Sequence, residues 1–246
     1  MAAKRFWCLA AVIMRGNHEA LAESLKTQAQ LSKAEKKTAF QAHATTANEI
    51  TQWLKAQGLW ASLSAKERQM MARDFGSWRK KEKIDSSWRR EAAAVLGWAL
   101  GYTQQIAPWD EASAHKELIE AAGGFLNPVA DRIARATLLP RQQLEGARDV
   151  AEAWLWRART TQLQRIRRKA PPGITFEEII RLSSEKAAQM GLFQPIDGDF
   201  PAMGKPYRAL TSEEWSEMHS IATERLYAMN WLCGRSRRWD HVRCDT

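Results

Sequence analysis

The chain has 246 residues, 45% of them hydrophobic, which is enough to bury a large core. Its 13 glycines and 8 prolines are few, and helix-favouring residues are frequent, so the composition argues against a β-sandwich or barrel. Lys and Arg total 37 against 28 Asp and Glu, and the resulting net charge of +9 directs attention to anionic partners.

The first apolar run, residues 6–14, follows Lys4 and Arg5 and has the outline of a short signal peptide. No small-x-small cleavage site comes after it, and so short a run cannot span a bilayer. The pattern therefore predicts a buried first helix and no membrane segment. Three cysteines, Cys8, Cys233 and Cys244, lack the spacing of a zinc site or a disulfide framework, so a cytoplasmic location is expected.

Caps and apolar spacing predict eight more helices along the chain. They cover about 32–57, 64–76, 85–102, 108–122, a short stretch from 127, 140–168, 175–191 and 212–233. The predicted fold class is mostly α, a single compact multi-helix domain over 1–246 with an irregular C-terminal loop and a docked tail. A connector after Gly76 leaves open an N-terminal subdomain, 1–76, and a main body, 77–246.

The C-terminal fifth is rich in turn, aromatic and carboxylate residues: IDGDFP at 196–201, GKPY at 204–207 and WDHVRCDT at 239–246. Trp239 and Val242 would gain little from remaining in water, so the tail is expected to dock on an apolar surface. This run resembles the C-terminus of a bacterial family known as domain-of-unknown-function family 4272. SWRRE at 87–91 with LGWALG at 96–101, and LPR at 139–141 with RDVAEAW at 148–154, resemble the same family. The resemblance implies a mostly helical, soluble protein without an established activity.

Glu91 stands at the edge of an apolar stretch, 92–101, that is typical of a central helix covered on several faces. An unpaired buried carboxylate is costly, so Glu91 either finds a partner or has a raised pKa suited to acid or base chemistry. The ion-paired interpretation is favoured.

A basic cluster marks the end of the helix predicted over 140–168. Its members are Arg157, Arg159, Arg165, Arg167, Arg168 and Lys169. Such a cluster could neutralise phosphates, although cations near a helix C-terminus also complement the helix dipole. Since no nucleic-acid reading motif is present, nucleic acid is a weak alternative partner.

The sequence contains no complete motif of the common enzyme classes. The stretch from Gly198 to Lys205 departs from phosphate-loop spacing, and Pro206 replaces the required Ser or Thr. The remaining chemistry is carboxylate: if Asp197, Asp199, Asp240 and Asp245 converged with His241, they could hold a cation that activates water. No cofactor, metal or catalytic residue is assigned from the sequence.

The favoured hypothesis is a non-catalytic protein-interaction module, perhaps an accessory or toxin-neutralising (immunity-type) protein, whose partner is another protein. A metal-assisted hydrolase using the C-terminal carboxylates is the alternative, and a non-specific nucleic-acid binder is a weaker one. The candidate interaction or ligand residues all lie in the stretches described above. They are Glu91, Asp197, Asp199, Lys205, Tyr207, Trp239, Asp240 and Asp245.

Overall fold

The structure is a computed structural model that describes residues 1–245. The chain divides into two units. Unit 1 contains Met1–Ile106, Ser113–Leu139 and Arg235–Val242. Unit 2 contains Ala107–Ala112, Pro140–Gly234 and the segment from Arg243. Residues on both sides of the connector after Gly76 belong to unit 1, so the possible subdomain boundary there falls inside a unit.

Unit 1 is built from six helices. They are α1 (Ala2–Ser24), α2 (Lys33–Ala56), α3 (Ala65–Met71), α4 (Lys80–Ala99), α5 (His115–Ala121) and α6 (Ala130–Arg135). The buried first helix is confirmed: α1 packs against α2 and α4, and Phe6 and Trp7 are completely buried. Ser32 and Ser64 form the predicted capping boxes, with Glu35 and Glu67 respectively.

Unit 2 is built around two long helices, α7 (Arg141–Arg165) and α9 (Ser212–Leu232), which pack on each other. The shorter α8 (Phe176–Gln189) packs on α7. Between α8 and α9 the chain makes a two-stranded antiparallel hairpin, β1 (Pro201–Ala202) and β2 (Lys205–Pro206). The mostly α fold class is therefore confirmed, and the irregular C-terminal loop is this hairpin with its flanking turns.

Two predicted helix starts were wrong for identifiable reasons. Helix α4 begins at Lys80, before Asp85, because the Glu82 carboxylate accepts the backbone N–H of Arg79 and so caps the first turn. Residues 108–111 are not helical, because the Arg225 guanidinium draws in the carbonyl oxygens of Ala107, Pro108 and Glu111 at 2.7–2.9 Å. The helix expected from 108 begins instead at His115.

The tail docks through Trp239, which is 5% exposed and lies with its ring centre 5.0 Å from the Arg5 guanidinium carbon within unit 1. Asp240 accepts the backbone N–H of Lys66 at 3.1 Å, in the first turn of α3. The tail is therefore held by aromatic burial and by capping. Its last residue, Thr246, lies outside the described residues.

Replacing two helical glycines by alanine should change the free energy of unfolding in opposite directions. A Cβ atom at Gly16 in α1 would overlap the Ser86 side chain and lie 3.3 Å from the Trp78 ring, whereas a Cβ atom at exposed Gly146 in α7 would meet nothing within 4 Å. Gly16→Ala should therefore lower the free energy of unfolding by about 1–3 kcal/mol. Gly146→Ala should raise it by about 0.5–1 kcal/mol. Urea denaturation of both variants tests this; equal effects would contradict the packing of α1 against α4.

Candidate functional site

A buried ion pair joins α7 to the hairpin loop of unit 2. The Arg157 side chain is completely buried, and its Nε and Nη2 atoms donate to the two carboxylate oxygens of Asp199 at 2.6 and 2.8 Å. The third nitrogen, Nη1, donates to the Thr161 hydroxyl at 2.6 Å. The guanidinium thus binds the carboxylate through two parallel hydrogen bonds, the geometry that these two groups favour. The pair both holds the loop against α7 and neutralises the two buried charges.

Asp199 also receives backbone donors. The N–H groups of Phe200 and Arg208 reach its oxygens at 2.8 and 2.9 Å. Burial by itself would raise the pKa of Asp199, but the bonds from Arg157 and from these two N–H groups outweigh burial and lower the pKa below its ordinary value. A carboxylate held ionised and fully engaged in this way is a structural anchor, so Asp199 is unsuited to hold a ligand.

Aromatic rings enclose the pair. The guanidinium carbon of Arg157 lies 4.7 Å from the centre of the Tyr207 ring, and Trp154 stands edge-on to Phe200 with ring centres 5.6 Å apart. Phe193 lies 4.6 Å from Phe200. Tyr207 is 1% exposed, and this burial raises its pKa. The aromatic content of the C-terminal motif is thus largely core, in line with the gain from burying such rings.

A cavity of about 360 Å³ opens beside the buried pair. Its lining comes from α7, α8 and the loop: Arg157, Gln164, Glu177, Ile180, Arg181, Asp197, Gly198, Asp199 and Arg208. Arg181 and Arg208 are about half exposed, and each already has a carboxylate neighbour, Glu185 at 2.6 Å and Asp197 at 3.7 Å. Among the lining residues, the three arginines are matched in number by three carboxylates, Glu177, Asp197 and Asp199. The cavity therefore has no excess charge with which to select an anion or a cation.

A run of exposed cations in unit 2 lies where α7 ends. Arg165, Arg167, Arg168 and Lys169 are exposed, and Ile166 among them is 64% exposed. We call residues 165–169 the basic segment. Arg165 stacks on the Trp215 ring at 4.6 Å and donates to the Thr211 carbonyl at 3.3 Å. The other three cations have no ion-pair partner among residues 1–245.

Two residues of the predicted basic patch differ from this segment. Arg157 does not belong to it, because the residue lies on the inner side of α7 and its charge is neutralised by Asp199. Arg159 is half-buried and lies near His219, whose pKa is lowered by burial and by the Arg159 charge. The exposed patch is therefore shorter than the sequence pattern indicated.

Glu91, in unit 1, is completely buried and has partners. Its two carboxylate oxygens accept the backbone N–H and the hydroxyl of Ser113, each at 2.8 Å, and Arg90 Nε lies 3.4 Å away. The structure favours the structural interpretation of this carboxylate. Ser113 donates to this carboxylate through two groups, and Arg90 supplies a nearby positive charge.

The C-terminal carboxylates do not form a metal centre. Asp197 is 71% exposed and faces Arg208, Asp199 is anchored by Arg157, Asp240 caps α3, and Asp245 is exposed. Across residues 1–245 there is no group of three or more His, Cys, Asp or Glu side chains placed to hold a metal ion. Lys205, also a candidate, pairs with Glu214 at 2.7 Å and secures the start of α9.

Sequence reasoning missed the buried arginines of both units. Arg5 pairs with Glu67, Arg15 pairs with Glu19 at 2.9 Å, and Arg225 binds three carbonyl oxygens. Each stands within a stretch of buried apolar residues, and an arginine at such a position is the signal that could have revealed it. All three secure the fold.

Comparison with known proteins adds the family. The family model described as "Domain of unknown function (DUF4272)" matches residues 2–177. The chain belongs to the DUF4272 family. The match includes the two DUF4272-like stretches around Trp88 and Trp154, whereas the C-terminal run from Ile196 lies beyond it. No curated protein and no solved structure matches the chain.

No helix described in residues 1–245 of this DUF4272 protein combines the length and the apolarity needed to cross a membrane.

Proposed function

We propose that this DUF4272 protein is a non-catalytic interaction protein and that the basic segment of unit 2 binds an acidic partner protein. One observation carries the proposal: Arg167, Arg168 and Lys169 are exposed without an ion-pair partner in residues 1–245 and directly follow exposed Ile166. Like charges so close together repel one another, and an acidic surface would relieve that repulsion.

The helix dipole does not account for these cations. Helix α7 ends at Arg165, so Arg165 occupies its last turn, but Arg167, Arg168 and Lys169 lie beyond the end. The dipole effect falls off within the last turn of a helix. Only one member of the basic segment is therefore explained by helix electrostatics.

Arg167 also occupies a costly backbone conformation. Its φ is +56°, at the position after the helix where glycine is favoured. A bulky side chain in this left-handed region costs about 1–2 kcal/mol relative to the right-handed region. The presence of an arginine at a position that favours glycine supports a role for the side chain itself.

Apolar contacts favour a protein over a nucleic acid as the partner. Ile166 is 64% exposed, and Leu163, one turn earlier, is 39% exposed. A branched aliphatic side chain offers no stacking surface to bases but fits the apolar centre of a protein interface, with arginines around it. Charged residues at the rim then mainly steer association.

Three free cysteines support a cytoplasmic location for this interaction, because thiols persist in a reducing compartment. The resemblance on which the family was first suggested supports a bacterial protein. An accessory or toxin-neutralising role is one form that binding to an acidic partner could take.

The experiment compares Arg167→Gln/Arg168→Gln/Lys169→Gln with a matched control, Lys26→Gln/Lys33→Gln/Lys37→Gln. The control removes the same charge from exposed positions of unit 1. Both are used with the wild type to capture partners from native lysate after nuclease treatment, and the affinity of each variant for the captured protein is then measured. At about 0.5 kcal/mol per charge, the first variant should bind an acidic protein about tenfold more weakly.

The control variant should retain that protein at nearly wild-type affinity. An equal loss in both variants, or the retention of nucleic acid alone, would contradict the proposal. A retained protein that is not acidic, or that ignores the basic segment, would also count against it.

A further inference from the structure

Two histidines meet between the first two helices of unit 1. His18 on α1 and His43 on α2 place their Nδ1 atoms 3.0 Å apart, with ring centres 5.2 Å apart. Both side chains are half-buried, so solvent reaches the pair. Neither the family description nor the proposed function gives this pair a role.

The two nitrogens constrain their own protonation. At 3.0 Å one Nδ1 must donate and the other accept, so only one of them carries a hydrogen at that position. A neutral imidazole binds metal through the lone pair of one nitrogen, so an ion held by both Nδ1 atoms replaces their hydrogen bond, and the donating ring moves its hydrogen to Nε2.

The fixed charges beside the histidines belong to one ion pair. Arg15, one turn before His18, pairs with Glu19 through its Nε and Nη2 atoms at 3.1 and 2.9 Å, so its positive charge is compensated beside the histidines. On α2, Phe40 occupies the turn before His43 and packs against Phe75 with ring centres 5.1 Å apart. The Glu19 carboxylate thus offsets part of the positive charge that an approaching cation would meet.

We propose that His18 and His43 form a two-histidine site that binds a divalent copper or nickel ion between α1 and α2. The remaining coordination positions would be filled by water. Imidazole nitrogen suits both ions.

The separation of the nitrogens selects the ion. With metal–nitrogen bonds of about 2.05 Å, a 3.0 Å separation corresponds to an angle of about 94° at the metal. This is close to the right angle of square-planar or tetragonal coordination, which Cu(II) and Ni(II) adopt. Tetrahedral Zn(II) would need the nitrogens about 3.35 Å apart at the same bond length. Copper and nickel should therefore bind more tightly than zinc, and magnesium, which prefers oxygen ligands, should not bind.

The test uses the full chain without a histidine tag, titrated with each metal alone at pH 7.5. Cu(II) should bind with a stoichiometry of one, and its electron paramagnetic resonance spectrum should show coupling to two imidazole nitrogens. His18→Gln or His43→Gln should weaken binding by at least about tenfold, since even loss of an outer-shell partner costs that much. His241→Gln removes an exposed histidine of the same unit and should change nothing.

A second measurement does not depend on the folding of variants. In the wild-type protein labelled with ¹⁵N-histidine, Cu(II) should broaden the assigned ring signals of His18 and His43 and spare those of His115, His219 and His241. Sulfur coordination, unchanged binding in the double variant, or broadening at other histidines would overturn the proposal. So would the absence of saturable binding.

Discussion

Replacing Asp199 with alanine is expected to lower the free energy of unfolding by about 3–5 kcal/mol, because it leaves Arg157 charged, buried and unpaired. The change also removes acceptors from the N–H groups of Phe200 and Arg208. Urea denaturation followed by tryptophan fluorescence measures the loss, since Trp154 lies in the affected cluster.

Asp197→Asn is the matched control, two residues away and 71% exposed, because Asn tolerates the left-handed backbone at this position (φ +49°) as Asp does. Its effect should stay within about 0.5 kcal/mol. Replacing both partners by apolar residues, Arg157→Met with Asp199→Leu, should recover much of the stability, because no buried charge is then left uncompensated. If Asp199→Ala cost no more than Asp197→Asn, the buried pair would not exist in solution.

The same carboxylate gives a pH dependence whose sign follows from its lowered pKa. A carboxyl group with a lower pKa in the folded state stabilises the fold above its unfolded pKa, at about pH 4, and this contribution is lost as the pH falls through the folded value. The wild type should therefore lose stability on acidification more steeply than the Asp199→Ala variant, which no longer has this group.

Local sequence signals were sufficient for most helices. Thr175 and Thr211 each cap the predicted helix by accepting the N–H group three residues later. Such caps depend on neighbours in the chain, so they can be read from the sequence. The start of α4 was missed because Asp85, a good cap by residue type, instead pairs with Lys81 at 2.7 Å within the helix.

The candidate site could not be predicted in the same way. Arg157 and Asp199 are 42 residues apart, and only the packing of α7 against the loop brings them together. From the sequence, Arg157 looked like the first member of a basic cluster and Asp199 like one of several turn carboxylates. In the structure Arg157 and Asp199 are buried and stabilise the fold, whereas Arg167 and Arg168 are exposed and can contact a partner.

Unit 1 contains a corresponding anchor, and its loss should be as severe. Glu19 is 2% exposed and accepts from Arg15 at 2.9 Å and from the backbone N–H groups of Gly76 and Trp78 at 3.0 and 3.4 Å. Glu19→Ala leaves a buried guanidinium and two backbone donors without this acceptor. We expect a loss of about 3–5 kcal/mol in the free energy of unfolding, measured by thermal and urea denaturation.

Glu23→Ala is the control for this prediction, one helical turn further along α1. The Glu23 carboxylate also makes an ion pair, with Lys83 at 2.6 Å, but it is 50% exposed. Water screens the half-exposed Glu23 carboxylate, and Lys83, which is 10% exposed, loses only this screened partner, so the change should cost much less than Glu19→Ala. Similar losses in the two variants would show that burial does not determine the strength of these anchors. A large loss at Glu19 alone would show that α1 is held to the connector before α4 by one carboxylate.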